Sequence, residues 1–213
     1  MATNDKPQAT KVVLGTEAGK LVRFSYLHAH KPHLNRESGT HEYSVQILIP
    51  KVNTKDYAAI KGAVTEQQKL FFPSGRLPPR SHYPIKDGDT GVNQKGEPVN
   101  QPGMWVVSAK TGAYERDGKA ELLDKPTTPP GCVGTTRGTD GKLKPLGANE
   151  IKSGDWGRIS INVQGYTTGD SGVGCYLNNL QKVQDGDALG NGRKSAADEF
   201  ADFADAEDFD PLA

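Results

Sequence analysis

The sequence predicts a mainly β fold, and three observations predict it. In 213 residues there are 25 glycines and 14 prolines; only 34% of the residues are hydrophobic against 24% charged; and apolar residues alternate with polar ones over several short runs, with a single helical repeat among them. Such a chain has many turns and few long helices. Its length suits one buried core with excursions and a tail better than two domains.

Taken in order, residues 1–10 read as a disordered arm. Lys11 to Leu14 and Lys20 to Leu27 read as strands around a glycine-containing turn, the second placing Val22, Phe24 and Tyr26 on one face. Residues 28–40 read as a polar loop. From His41 to Ile49 alternation returns, with Tyr43, Val45, Ile47 and Ile49 sharing a face, and Pro50 ends the strand. Thr54 is placed to cap a helix on which Tyr57, Ile60, Val64 and Phe71 recur at near-helical spacing.

Residues 73–101 carry Pro78-Pro79, Pro84 and the turn signals DGD at 87–89 and NQKG at 93–96, and read as mostly loop. Met104 to Lys110 is apolar on both faces, as a central strand is. Residues 111–152 are rich in Gly, Pro and Lys, a long excursion. Trp156 to Tyr166 is the clearest strand, with Ile159, Ile161 and Val163 on one face. Gly172 to Gln184 breaks strict alternation, the mark of a bulge or a helical turn. The body is thus 11–184, followed by a linker at 185–197 and a disordered acidic tail at 198–213. Short strands, one helix and long loops fit a five-stranded barrel of the OB type better than a bundle or a βαβ sheet.

The net charge of zero hides an asymmetry. From Asp198 onward there are seven acidic residues and no Lys or Arg, which leaves 26 basic against 19 acidic residues in 1–197, a body of net +7. Such a body suits a polyanion, and the tail is a built-in competitor for it. Trp156, Arg158, Asn162, Gln164 and Tyr166 share the other face of their strand and offer unstacked bases aromatic planes, a guanidinium and amides. We take Trp156 and Tyr166 as candidate stacking residues, with Arg158, Arg23, Lys51, Lys110 and Lys182 as candidate contacts to phosphates or base planes. In the tail, Phe200, Phe203 and Phe209 stand among carboxylates such as Asp208 and Asp210, a pattern that imitates a nucleic-acid strand or docks into a basic, apolar pocket.

Enzymatic readings are weaker. His28, His30 and His33 have a spacing that could bind a metal, but no nearby Cys or second-shell carboxylate completes a site. The DGD runs at 87–89 and 185–187 would serve a metal-dependent nuclease, yet Asp-Gly is what a turn requires anyway. Cys132 and Cys175 read as reduced thiols without a base beside them. No cofactor and no metal are expected. The first twenty residues lack an apolar stretch and no run approaches the roughly 20 apolar residues of a membrane span, so the expectation is a soluble cytoplasmic protein.

Several blocks carry a family resemblance: VRFSY at 22–26, ILIPK at 47–51, DGD at 87–89, VSAK at 107–110, SGDWGR at 153–158 and above all LNNLQKVQDGDALG at 177–190. Together they resemble a family of phage single-stranded DNA-binding proteins formerly catalogued as a domain of unknown function. The tail is similar to those of phage and bacterial single-strand binders. The resemblance implies an OB fold, sequence-independent binding of single-stranded DNA in phage replication or recombination, and a tail that competes with DNA and recruits partner proteins. It also implies a setting in the cytoplasm of the infected host cell, and leaves a homodimer open. The alternatives are the nuclease above and a protein-interaction module that does not bind DNA.

Overall fold

A computed structural model describes residues 8–36, 38–92, 96–116, 122–168, 171–187 and 189. Among them the chain forms eleven strands and one helix, in the order β1 (Thr10–Leu14), β2 (Val22–Asn35), β3 (Thr40–Pro50), α1 (Thr54–Phe71), β4 (Ile85–Asp87), β5 (Met104–Gly112), β6 (Tyr114–Arg116), β7 (Leu122–Pro126), β8 (Gly131–Arg137), β9 (Leu143–Pro145), β10 (Trp156–Tyr166) and β11 (Gly172–Gln184). The fold is mainly β with one helix, as the composition predicts.

Strand pairing runs in a circuit. β2, β3 and β5 are antiparallel neighbours; β5 meets β11 in parallel where Ala109 lies opposite Cys175; β11 pairs antiparallel with β10; and the first residues of β10 return to β2, Trp156 opposite Arg23 and Gly157 opposite Val22. β1 continues the same edge of β10, β4 joins β5, and β8 with β9 extends β11. A short hairpin of β6 and β7 stands apart from this sheet. At the return of β10, a Cβ on Gly157 would collide with the Gln181 carbonyl and sit 2.9 Å from the Phe24 ring. Only glycine lets the strands approach this closely.

The inward faces of these strands make the core. Phe24, Ile47, Ile49, Val107, Ile159, Ile161, Val163 and Leu180 are buried together with Ile60 and Val64 of α1. Each such side chain contributes about 1.5–3 kcal/mol relative to leaving it exposed. Helix α1 is fastened to β1 and β10 by the fully buried Gln67, whose amide donates to the Gln8 carbonyl and Thr10 Oγ1 (both 2.9 Å) and accepts from the Gly165 N–H (3.1 Å). At the start of α1 the cap is Asn53 rather than Thr54. Asn53 accepts from the Asp56 N–H, and the buried Asp56 carboxylate accepts from Asn53 Nδ2 and the Gly15 N–H, both at 2.7 Å. An amide both donates and accepts here, which the hydroxyl of Thr54, one residue inside the helix, is not placed to do.

Two further expectations are corrected. Residues 28–35 are strand rather than loop: β2 runs on to Asn35, with His33 opposite Glu42 and Asn35 opposite Thr40. The hairpin rises where several side chains reach solvent, so backbone pairing holds it without apolar alternation. Tyr26 does not share the inward face of Val22 and Phe24. Its φ is 47°, the β2–β3 register shifts between Ser25 and His28, and the ring is 65% exposed. A left-handed residue in a strand marks a bulge, and a bulge turns the following side chains. The irregularity expected in 172–184 is present as two register shifts between β10 and β11. Residues 111–152 contain four short strands, β6 to β9.

Candidate nucleic-acid interface

β10 alternates without a break. Gly157, Ile159, Ile161, Val163 and Gly165 are buried, while Trp156, Arg158, Ser160, Asn162, Gln164 and Tyr166 are half-buried on the opposite face. Ten strand steps separate Trp156 from Tyr166, about 33 Å. The two candidate stacking residues therefore stand at opposite ends of one face.

At the first end, the Arg23 guanidinium lies 5.4 Å from the Trp156 ring centre and is held by donation to the carbonyls of Gly154 (2.9 Å) and Asp187 (2.7 Å). Cross-strand pairing of Trp156 with Arg23 creates this contact. The Trp156 side chain also borders a groove of about 400 Å³ lined by Lys20, Val52, Asn53 and Gln184. Next along the face, Arg158 donates to Gln181 Oε1 (3.0 Å), and Gln181 donates to the Gly134 carbonyl (3.1 Å). At the far end the Tyr166 ring lies over Gly174, where an added Cβ would touch it at 3.5 Å.

The three candidate lysines lie elsewhere, each beside at least one carboxylate that is remote in sequence. Lys110 of β5 is 3.2 Å from Glu42 of β3, a largely buried carboxylate that also accepts from Asn35 (3.1 Å) and lies 3.9 Å from His33. Lys51 bridges Asp87 at 2.7 Å and Asp89 at 2.5 Å, beneath which Trp105 stacks on Tyr57 with ring centres 4.2 Å apart. Its hydrogen bonds hold both carboxyls below their ordinary pKa and raise its own. Lys182 pairs with Asp155 (3.1 Å) and Asp185 (2.7 Å). Burial opposes its charge, but hydrogen bonds to Asp185 and Asp155 outweigh it and the pKa is raised. The first DGD run thus anchors a lysine, and the second anchors Lys182 through Asp185 and Arg23 through the Asp187 carbonyl.

The histidines of the β2–β3 hairpin pack on one another, the rings of His28 and His33 lying 4.3 Å apart. Partial burial, and secondly His33, lowers the pKa of His28. Among the described residues no group of three or more His, Cys, Asp or Glu is placed to hold a metal ion. Burial raises the Cys132 and Cys175 thiols to about 11 and about 12. Phe200, Phe203, Phe209, Asp208 and Asp210 lie outside the described residues.

Sequence reasoning missed two exposed tyrosines. Alternation places Tyr26 on the face of Val22 and Phe24, although it is 65% exposed, and Tyr176 of β11, 43% exposed, sits on the outer face opposite Asn162. The irregular alternation around residue 178 hides Tyr176 from a periodicity search.

A family profile described as Enterobacter phage Enc34, ssDNA-binding protein, matches residues 10–210. Among solved structures, the single-stranded DNA-binding protein from bacteriophage Enc34 is similar at 23% identity, covering 92% of this chain and 91% of that one, with a TM-score of 0.60. The same phage protein in complex with ssDNA aligns at 23% identity over 87% of this chain and 91% of that one (TM-score 0.59). The single-stranded DNA-binding protein gp2.5 encoded by bacteriophage T7 is 15% identical over 94% of this chain and 98% of that one (TM-score 0.53). No curated protein matches the sequence. At these identities the structural likeness speaks for the fold.

Proposed function

The chain belongs to the Enc34 phage ssDNA-binding protein family, and from that premise we propose that it binds single-stranded DNA without sequence preference and does no chemistry on it. The observation that carries the reading is the outer face of β10, where a tryptophan backed by an arginine, amides and a tyrosine follow one another on alternate residues. Aromatic rings stack on any base, at about 1–3 kcal/mol each, so such a face is indifferent to sequence.

The pairing circuit of β2, β3, β5, β11 and β10, with one parallel contact, supports a five-stranded OB-type barrel. We assign Trp156 and Tyr166 to stacking and Arg23 and Arg158 to base planes or phosphates. Lys51, Lys110 and Lys182 join by exchanging a carboxylate for a phosphate, so each contributes less than Arg23. The nuclease alternative is disfavoured because Asp87 and Asp89 are engaged by Lys51, and Asp185 by Lys182.

The body at 11–184 is the binding domain after an arm at 1–10, and 185–197 is a linker. The tail at 198–213 competes with DNA through its carboxylates and phenylalanines and recruits replication or recombination proteins in the infected host's cytoplasm. Two subunits exchanging tails would form a homodimer. Fluorescence anisotropy of a labelled oligo-dT against the full chain and a 1–197 truncation tests the tail. Tighter binding and a steeper salt dependence on truncation support it, and unchanged affinity removes its role as competitor.

A further inference from the structure

The sheet register aligns three residues that the sequence keeps far apart. Lys11 of β1 lies directly opposite Asn162 of β10, and Asn162 directly opposite Tyr176 of β11. Direct cross-strand partners stand about 5 Å apart on one face, so cation, amide and phenol ring form a row across three strands. The flanking residues Val12, Ile161, Val163, Cys175 and Leu177 are buried, which directs the row outward.

Beside the row, β11 carries an extra residue. Ser160 faces Asn179 and Ile161 faces Leu177, leaving Asn178 as the bulge. A bulge re-aims a side chain, and here Asn178 Nδ2 donates to Asn162 Oδ1 at 3.0 Å. Thr128 and Pro129, ahead of β8, complete a groove of about 590 Å³ over the row.

Its electrostatics differ from those around the other lysines. Lys51, Lys110 and Lys182 each answer to a carboxylate. Among the described residues Lys11 has no ion pair, and no Asp or Glu lines the groove. The Tyr176 ring is 43% exposed, and its hydroxyl has no hydrogen-bond partner among the described residues. An uncompensated cation, an open ring and two neighbouring amides match an anionic strand with flat bases.

We propose that this row is a nucleotide subsite: Tyr176 stacks a base, Asn162 and Asn178 hydrogen-bond its edge or sugar, and Lys11 takes the adjacent phosphate. It carries the middle of a single strand laid along β10, about 20 Å from Trp156 and about 13 Å from Tyr166 along that strand. The subsite rests on the single-strand-binding reading and extends it to residues outside the Trp156 and Tyr166 ends.

The test measures full-length protein and the variants Tyr176→Ala, Tyr176→Phe and Lys11→Ala against labelled oligo-dT over a range of salt, with melting temperatures to confirm folding. Tyr176→Ala is expected to raise Kd about five-fold or more at every salt concentration. Tyr176→Phe keeps the ring and binds close to wild type. Lys11→Ala makes the salt slope shallower by about 0.7. Wild-type Kd and slope in both Tyr176→Ala and Lys11→Ala overturn the subsite while leaving single-strand binding intact. Tighter binding in Tyr176→Ala, matching that of the 1–197 truncation, also overturns it and assigns the groove to the protein's own tail. If wild-type protein binds no oligonucleotide, the functional reading fails, and the subsite with it.

Discussion

Replacing Trp156 by alanine separates stacking from charge at the end of β10 where the two meet. The ring sits with Arg23 5.4 Å from its centre, and Arg23 is anchored independently by the carbonyls of Gly154 and Asp187. Removing the ring therefore leaves the guanidinium held. Loss of one base–ring stack, about 1–3 kcal/mol, raises Kd by roughly 5- to 150-fold. Because no charge is lost, plots of log Kd against log salt for wild type and Trp156→Ala run parallel. Arg23→Ala does the opposite: the ring remains, one phosphate contact goes, and the slope becomes shallower by about 0.7. Anisotropy titrations of labelled oligo-dT at four or five salt concentrations distinguish the patterns. Wild-type affinity in Trp156→Ala, or a slope change there as large as in Arg23→Ala, would refute the assignment of stacking to Trp156.

Three further outcomes concern the scaffold. Asp56→Ala leaves the buried Gly15 N–H and Asn53 Nδ2 without their acceptor and is expected to destabilise by about 1–3 kcal/mol, read from the urea midpoint. Asp87 and Asp89 have folded pKa values lowered below 3.8 by Lys51, so their contribution to stability is present above that value and lost as pH falls through the lowered ones. The melting-temperature gap between wild type and Lys51→Ala is accordingly widest near neutral pH and closes below about pH 4. With thiols raised to about 11 and about 12, Cys132 and Cys175 react with a thiol reagent at pH 8 only in denaturant; rapid labelling of the native protein would contradict their burial.

The strand carrying the proposed stacking face was legible because β10 is inward at every second residue from Gly157 to Gly165, and strict alternation is the strongest β signal a sequence holds. Helix α1 was legible through Ile60 and Val64, both fully buried. The hairpin at 28–40 was not, since backbone pairing carries it and polar side chains at exposed positions resemble a loop. Nor were the partners of the cations: Lys51 finds Asp87, Lys110 finds Glu42 and Lys182 finds Asp155 across long stretches of chain. Basic residues could be counted from the sequence, but which of them keep an uncompensated charge depends on register. The same holds for Lys11 and Tyr176, brought into one row by two pairings that no local pattern encodes.

Equilibrium binding of the full-length protein to labelled single strands of dT, dA and mixed sequence, beside a duplex of the mixed sequence, tests the central claim most directly. The account predicts single-strand affinities within a few-fold of one another, all tighter than the duplex, and a log–log salt slope near −3 for about four phosphate contacts. Absence of single-strand binding at low salt, or a strong preference for one sequence, would contradict it.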